Sequence, residues 1–362
     1  MAHAETAGRP RRRPRVPRRG GSGGMRRLAA TLANYQSGGL LIALLVMGAI
    51  FTASSANFLT HRNLTVILLQ VSIVGILAIP QAMLVLSGYV DLSVGSVAVL
   101  AVAVFGEMAK VHHYSLAAAI AIAIAVAAAW GLMNGLLICY LDFSPIIVTL
   151  GGFAGARGVA EAITHDVTQF GFGTKFAWLG NGTIATIPVP AVIFLGLFVI
   201  GAYIWYEMPL GRHLTAIGAD RVAARSLGVS TRLIPCVIYV CSAIAAGLGG
   251  LILTSELDGA SPSIGIGLEL QVLTAVLLGG VAFAGGRGSL WGVLFGILFI
   301  GVLNNGLILL NIGPYVVNLA VGAVLIAAAG ADAFYQRLER IPVAAAEPEG
   351  VEAEAKAQEA VT

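Results

Sequence analysis

From Gly38 to Gly330 the chain consists of long apolar runs separated by short polar stretches. Ten runs can be delimited, at 38–53, 64–86, 92–108, 116–138, 145–163, 187–206, 233–253, 268–284, 290–310 and 315–330. A helix needs about 20 mainly apolar residues to cross the hydrocarbon core of a bilayer. The runs at 64–86, 116–138, 187–206, 233–253 and 290–310 satisfy this without a single charged residue. The others are shorter or flanked by charge. None shows the apolar–polar alternation of a membrane barrel strand. The pattern therefore predicts an all-α, polytopic integral membrane protein with about ten transmembrane helices.

Composition agrees. Mean hydropathy is +0.89 and charged residues make up 11%, against about 25% in soluble domains. Glycine accounts for 46 of 362 residues, an excess that suits close backbone approach between helices in lipid. The three cysteines, Cys139, Cys236 and Cys241, lie in or beside apolar runs at spacings that fit no metal site. His112 and His113 are adjacent, so they cannot share one helix face, and neither a metal nor a cofactor is expected.

Charge orients the bundle. Nine of the 21 basic residues precede Leu28. Residues 1–27 read as a disordered basic tail, 28–336 as one transmembrane domain, and 337–362 as a disordered acidic tail. With the N-terminus in the cytoplasm and ten helices alternating, 17 of the 21 basic residues fall on the cytoplasmic side; only Arg62, Lys110, Arg157 and Lys175 do not. The positive-inside rule favours this orientation, with both termini cytoplasmic. Beside a first span, the arginine-rich start reads as a membrane anchor, and no nucleic-acid partner is expected.

The longest cytoplasmic loop runs from Glu207 to Arg232. Within it Asp220 is placed to cap a short helix, Val222, Ala223 and Leu227 form an apolar face, Arg221 and Arg225 lie one turn apart, and Gly228 is placed to end the helix. Such a helix is either a surface element following the positive-inside rule or a docking element for a cytoplasmic partner. Polar residues inside the spans are costly in lipid and usually face a bundle interior or a cavity. Arg157 and Glu161 are spaced i, i+4, as an ion pair or a solute contact. Asp91 precedes a helix, as a cap or a ligand. Glu269 is placed near the outer entrance of the eighth helix. Gln81, Asn134, Thr149, Asn304 and Asn305 offer neutral hydrogen bonding, to a hydroxylated solute or between helices. One weak internal echo pairs Leu86-Ser-Gly88 and Gly95-Ser96 with Leu278-Gly-Gly280 and Gly288-Ser289.

Several landmarks, in order, resemble the sugar-type permease subunits of bacterial ATP-binding-cassette importers, the group that includes ribose, xylose and autoinducer permeases. They are Ser87-Gly88-Tyr89-Val90-Asp91-Leu92-Ser93-Val94-Gly95-Ser96, Asn134-Gly135-Leu136, Pro145 to Gly151 with Arg157-Gly158, Ile187-Pro188-Val-Pro190, Gly279-Gly280, Gly285 to Ser289, and Gly301 to Leu307. The resemblance covers roughly residues 38–335 and departs at Tyr89, where glycine is more usual. It implies a bacterial inner-membrane location, a second permease subunit, cytoplasmic ATPase subunits and an extracytoplasmic solute-binding protein. It also implies that Asp220, Ala223, Ala224, Arg225 and Gly228 form the coupling helix on which the ATPase docks. Closure of the ATPases would move this helix and tilt the bundle between outward-open and inward-open states. None of Lys110, Lys175 and Lys356 follows a glycine, so the chain has no G-x-x-x-x-G-K-[ST] phosphate loop and is read as a transport subunit, not an enzyme. On the residues alone, an ion-coupled secondary transporter and an importer of branched-chain amino acids or nucleosides remain open.

Overall fold

The structure is a computed structural model and describes residues 22–340. Most of both predicted tails, 1–21 and 341–362, lies outside the described residues. The elements run α1 (Ser22–Ser54), α2 (His61–Leu86), α3 (Val94–Gly106) extended by a π turn (Glu107–Val111), α4 (Leu116–Cys139), α5 (Pro145–Thr164), β1 (Gln169–Phe170), α6 (Thr174–Asn181), β2 (Thr183–Ile184) and β3 (Ile187–Pro188). They continue with α7 (Val189–Tyr206), α8 (Pro209–Ala219), α9 (Arg221–Ser226), α10 (Leu233–Leu257), β4 (Gly259–Ala260), α11 (Leu268–Leu278), α12 (Leu290–Leu309) and α13 (Pro314–Arg340). The strands are two-residue pairings, β1 with β4 and β2 with β3, both antiparallel.

Eight helices are long and apolar enough to cross a membrane, and two shorter apolar helices, Gly38–Ser54 within α1 and α11, accompany them. The chain is thus a polytopic all-α membrane protein with ten apolar helices among the described residues. α1 begins at Ser22 and α13 runs to Arg340, so helix extends a few residues beyond each sequence-based boundary of the membrane domain. The run at 268–284 is corrected. Its helix stops at Leu278, and eleven residues at 1.5 Å each reach only about half of a 30 Å hydrocarbon core. The apolar residues beyond it, Val281 and Ala282, are buried in an irregular return to α12.

α2 and α3 form the centre. α3 is buried at every position, and α2 from Val71 to Leu86. Their sequences explain this, since an α3 of Val, Ala, Gly, Ser, Leu and Phe presents no polar face to water or headgroups. α10 packs against α3 and α4 across small residues. A Cβ at Gly250 would press on the Ala98 carbonyl, and one at Gly131 on Ala243 and the Tyr239 carbonyl. In lipid, where the hydrophobic effect does not drive helices together, such approach supplies the packing that holds them.

The internal echo has a physical basis. After α2, Gly88 N–H donates to Val85 O at 2.9 Å and Tyr89 N–H to Leu84 O at 2.9 Å. After α11, Gly280 N–H donates to Leu277 O at 2.9 Å and Val281 N–H to Val276 O at 3.3 Å. Gly88 and Gly280 both have left-handed φ, +79° and +85°. This is the same Schellman stop, which only glycine enters without steric cost. The two junctions also meet, because Gly286 N–H donates to Leu86 O at 2.7 Å. Gly218 of α8 fits between them, and a Cβ there would overlap the Leu86 carbonyl and the Gly286 nitrogen. Three backbones therefore touch at the end of the bundle where α8 and α9 lie.

Candidate translocation and coupling sites

α9 is built as its sequence predicts. The Asp220 carboxylate accepts the Val222 N–H at 2.8 Å and the Ala223 N–H at 3.0 Å, an N-cap. Gly228, at φ +81°, closes the helix by donating to Arg225 O while Val229 N–H returns to Ala224 O. Orientation divides the alanines. Ala224 is only 2% exposed and packs into the bundle. Val222, at 77%, and Leu227, at 83%, project outward together with Ala223 and Arg225.

The element before α9 was not foreseen. Gly211-Arg212-His213 reads as loop in the sequence, but it lies inside α8. Pro209 at the first helical position and the buried series Gly211, Leu214 and Ile217 are the overlooked signals. Asp142 was also missed. From the α4–α5 loop its carboxylate pairs with Arg221 at 3.2 Å and with Arg232 at 2.9 Å, flanking α9 on both sides. Arg221 also lies 5.9 Å from the centroid of the Tyr89 ring.

The polar residues separate into distinct groups. Asp91 is buried and accepts hydrogen bonds from Ser93 N–H at 2.9 Å, Ser93 Oγ at 2.6 Å and Ser242 Oγ at 3.1 Å. Asn134 donates to Ser93 Oγ at 3.0 Å. One carboxylate thus ties the α2–α3 junction to α10 and, through Ser93, to α4. The amide it accepts is that of Ser93, the residue directly before α3. Next to it Tyr239 donates to Val90 O at 2.9 Å and meets Tyr89 edge-on, with centroids 6.3 Å apart. Thr149 returns its hydroxyl to Pro145 O at 2.8 Å.

A second group lies farther along the spans. Arg157 Nε contacts Glu161 Oε1 at 3.0 Å, with the two side chains 28% and 43% exposed. The Glu269 carboxylate abuts Gly95 in the first turn of α3, where a Cβ would collide with Oε2. That oxygen is buried and has no hydrogen-bond partner among the described residues. Asn304 donates to Gln271 at 3.1 Å, and its own Oδ1 has no partner among the described residues. Gln81 is buried with its Oε1 likewise unpartnered. Asn305 belongs elsewhere. It exchanges amide hydrogen bonds with Asn63 at 2.9 and 3.0 Å, joining α12 to the start of α2. Buried polar atoms are normally satisfied, so among the candidate residues Glu269, Asn304, Gln81 and Asn134, whose Oδ1 also finds no partner among the described residues, have hydrogen-bonding capacity to spare.

Arg157 and Glu161 pair at 3.0 Å, so removing either one should impair uptake and thermal stability more than replacing both with apolar residues, because a lone charge in a span is left unmatched. A double-mutant cycle scored by uptake and by melting in detergent checks this. Equal damage from the single changes and the double change would contradict it.

The comparisons with known proteins agree with this architecture. A family model described as a branched-chain amino acid transport system permease component matches residues 63–329. The ribose import permease protein of Escherichia coli K12 is 35% identical over 279 residues, covering 76% of this chain and 87% of that protein. The D-allose transport system permease protein of the same strain is 31% identical over 295 residues, covering 81% and 90%. The L-arabinose ABC transporter permease protein of Azospirillum brasilense is 30% identical over 302 residues, covering 83% and 88%. No solved structure matches. The chain belongs to the family of sugar-type, membrane-spanning permease subunits of ATP-binding-cassette importers.

Proposed function

We propose that this chain carries a monosaccharide inward across a bacterial inner membrane, with both termini in the cytoplasm and with ATP hydrolysed by separate subunits docked on α9. The observation that carries the reading is the outward face of α9. Val222, Ala223 and Leu227 are exposed on a helix capped by Asp220 and stopped by Gly228. They lie in the segment where positive charge collects, which the positive-inside rule assigns to the cytoplasm. An apolar face beside basic residues suits a protein cleft.

The solute path runs beside α5. α4 and α5 turn most of their apolar surface outward, including Leu132, Leu136, Ile147 and Leu150, yet α5 also holds the half-exposed Arg157 and Glu161. Charged groups in a span face water or protein rather than lipid. A second permease subunit, of the same or a different kind, therefore covers this face and encloses a polar route that includes Glu269, Asn304 and Gln81. An extracytoplasmic binding protein delivers the sugar to it.

The test is Ala223→Glu in a reconstituted importer, with co-purification, hydrolysis and uptake measured on one preparation. The permease is expected to insert normally and to lose its ATPase subunit, since an unpaired carboxylate in a buried contact costs a few kcal/mol, about 3. Full retention of the subunit with normal uptake would remove α9 from the docking surface. Loss of uptake on collapsing ion gradients, with ATP present, would favour a secondary transporter.

A further inference from the structure

We infer that Asp142 is a positioning residue for coupling, the clasp through which displacement of α9 pulls on the α4–α5 hairpin; this rests on the reading of α9 as the ATPase docking helix. The arrangement of the charges is the basis. Arg221 is the first residue of α9, and Arg232 directly precedes α10. Both donate through Nη2 to the one carboxylate of Asp142, Arg221 to Oδ1 at 3.2 Å and Arg232 to Oδ2 at 2.9 Å. A force on α9 therefore reaches Asp142 from either side of the docking segment.

The connection leads to the proposed path. Asp142 sits between α4 and α5, and α5 begins three residues later and carries Arg157 and Glu161. Without the clasp, the two elements are separated at this end by an open cavity of about 460 Å³, lined by Tyr89, Asp142, Phe143, Ile217, Gly218 and Arg221 among others. Ala224 packs α9 into the bundle, and the ion pairs add a polar link across that space.

Exposure sets the size of the effect. The three side chains are 39%, 53% and 42% exposed, and ion pairs this open to solvent are individually weak. Asp142 therefore tunes the yield of sugar per ATP and does not decide whether the complex assembles. It also has left-handed φ, +55°, a conformation that Asn tolerates and most residues do not. Asp142→Asn removes the charge while respecting the turn, whereas Asp142→Ala would confound the two.

The experiment uses the reconstituted importer with its ATPase and binding-protein subunits, measuring sugar transported per ATP hydrolysed. Asp142→Asn should keep the ATPase subunit and its hydrolysis but move about three-fold less sugar per ATP. Raising salt from about 0.1 M to about 1 M shortens the screening length from about 10 Å to about 3 Å. That should lower the wild-type ratio toward the variant's and leave the variant unchanged. Arg221→Gln and Arg232→Gln should each lower the ratio, and should add little in the Asp142→Asn background. They carry the test if Asp142→Asn does not fold. A wild-type ratio in Asp142→Asn, or an equal fall with salt in both proteins, would overturn the clasp. Ala223→Glu run in parallel separates the two readings. A retained ATPase subunit there defeats the docking helix and the clasp with it, whereas a detached subunit with a normal ratio in Asp142→Asn defeats the clasp alone.

Discussion

Gly218→Ala is expected to destabilise the permease strongly and to abolish uptake, although it adds only one methyl group, in the short helix α8 between two spans. The added Cβ meets backbone, the Leu86 carbonyl and the Gly286 nitrogen, with no flexible side chain to move aside. Relief requires shifting α8, the end of α2 or the return after α11. Overpacking of this kind costs about 1–3 kcal/mol or more. Gly196→Ala on α7 is the control, because a Cβ there meets nothing within 4 Å and a helical Gly→Ala change is worth up to about 1 kcal/mol of stabilisation. Melting in detergent and uptake in proteoliposomes check both. A Gly218→Ala protein that melts with the wild type would show that the three-backbone contact is loose.

The second large effect is expected at Asp91. Asp91→Ala should reduce the yield of folded protein, because it orphans the Ser93 amide and the Ser93 and Ser242 hydroxyls inside the bundle. Each buried group left unsatisfied costs about 1–3 kcal/mol. Asp91→Asn keeps an acceptor oxygen and should recover most of the yield. Glu269→Gln should behave oppositely, with normal yield and reduced uptake, since its Oε2 has no protein partner to lose. Size-exclusion recovery measured alongside initial uptake separates the two carboxylates. Uptake lost at normal yield in Asp91→Asn would place Asp91 on the path instead.

The contrast between the partnered Asp91 and the unpartnered Glu269 Oε2 was beyond the sequence. Both carboxylates stand beside apolar runs, and only the packing of α10 against α3 brings Ser242 to Asp91. Spans and stops were far more legible. Asp220 and Gly228 are local signals acting on neighbouring amides, so they could be read directly. α11 misled because Val281 and Ala282 are apolar for burial in an irregular turn, not for helix. The Gly279-Gly280 pair ahead of them was the stronger signal. On α9 the spacing defined a helix but not its rotation about its axis. Ala223 and Ala224 are therefore equivalent in sequence and opposite in space.

The Arg157–Glu161 pair has a consequence for how the importer is assembled in the cell. If a second subunit covers α5, each newly inserted chain spends time alone with that face toward lipid. A lone charge there would mark the orphan subunit for rapid removal or pull water into the bilayer. An adjacent pair, one turn apart and held at 3.0 Å, presents lipid with a nearly neutral group, and the cost of waiting falls accordingly. The same pair discourages permanent residence in lipid, because hydrogen-bonding capacity remains unused until water or a partner reaches it. With α5 covered in that way, the waiting subunit would be tolerable for a time but favoured only once paired, and the supply of mature importers would follow from subunit encounter.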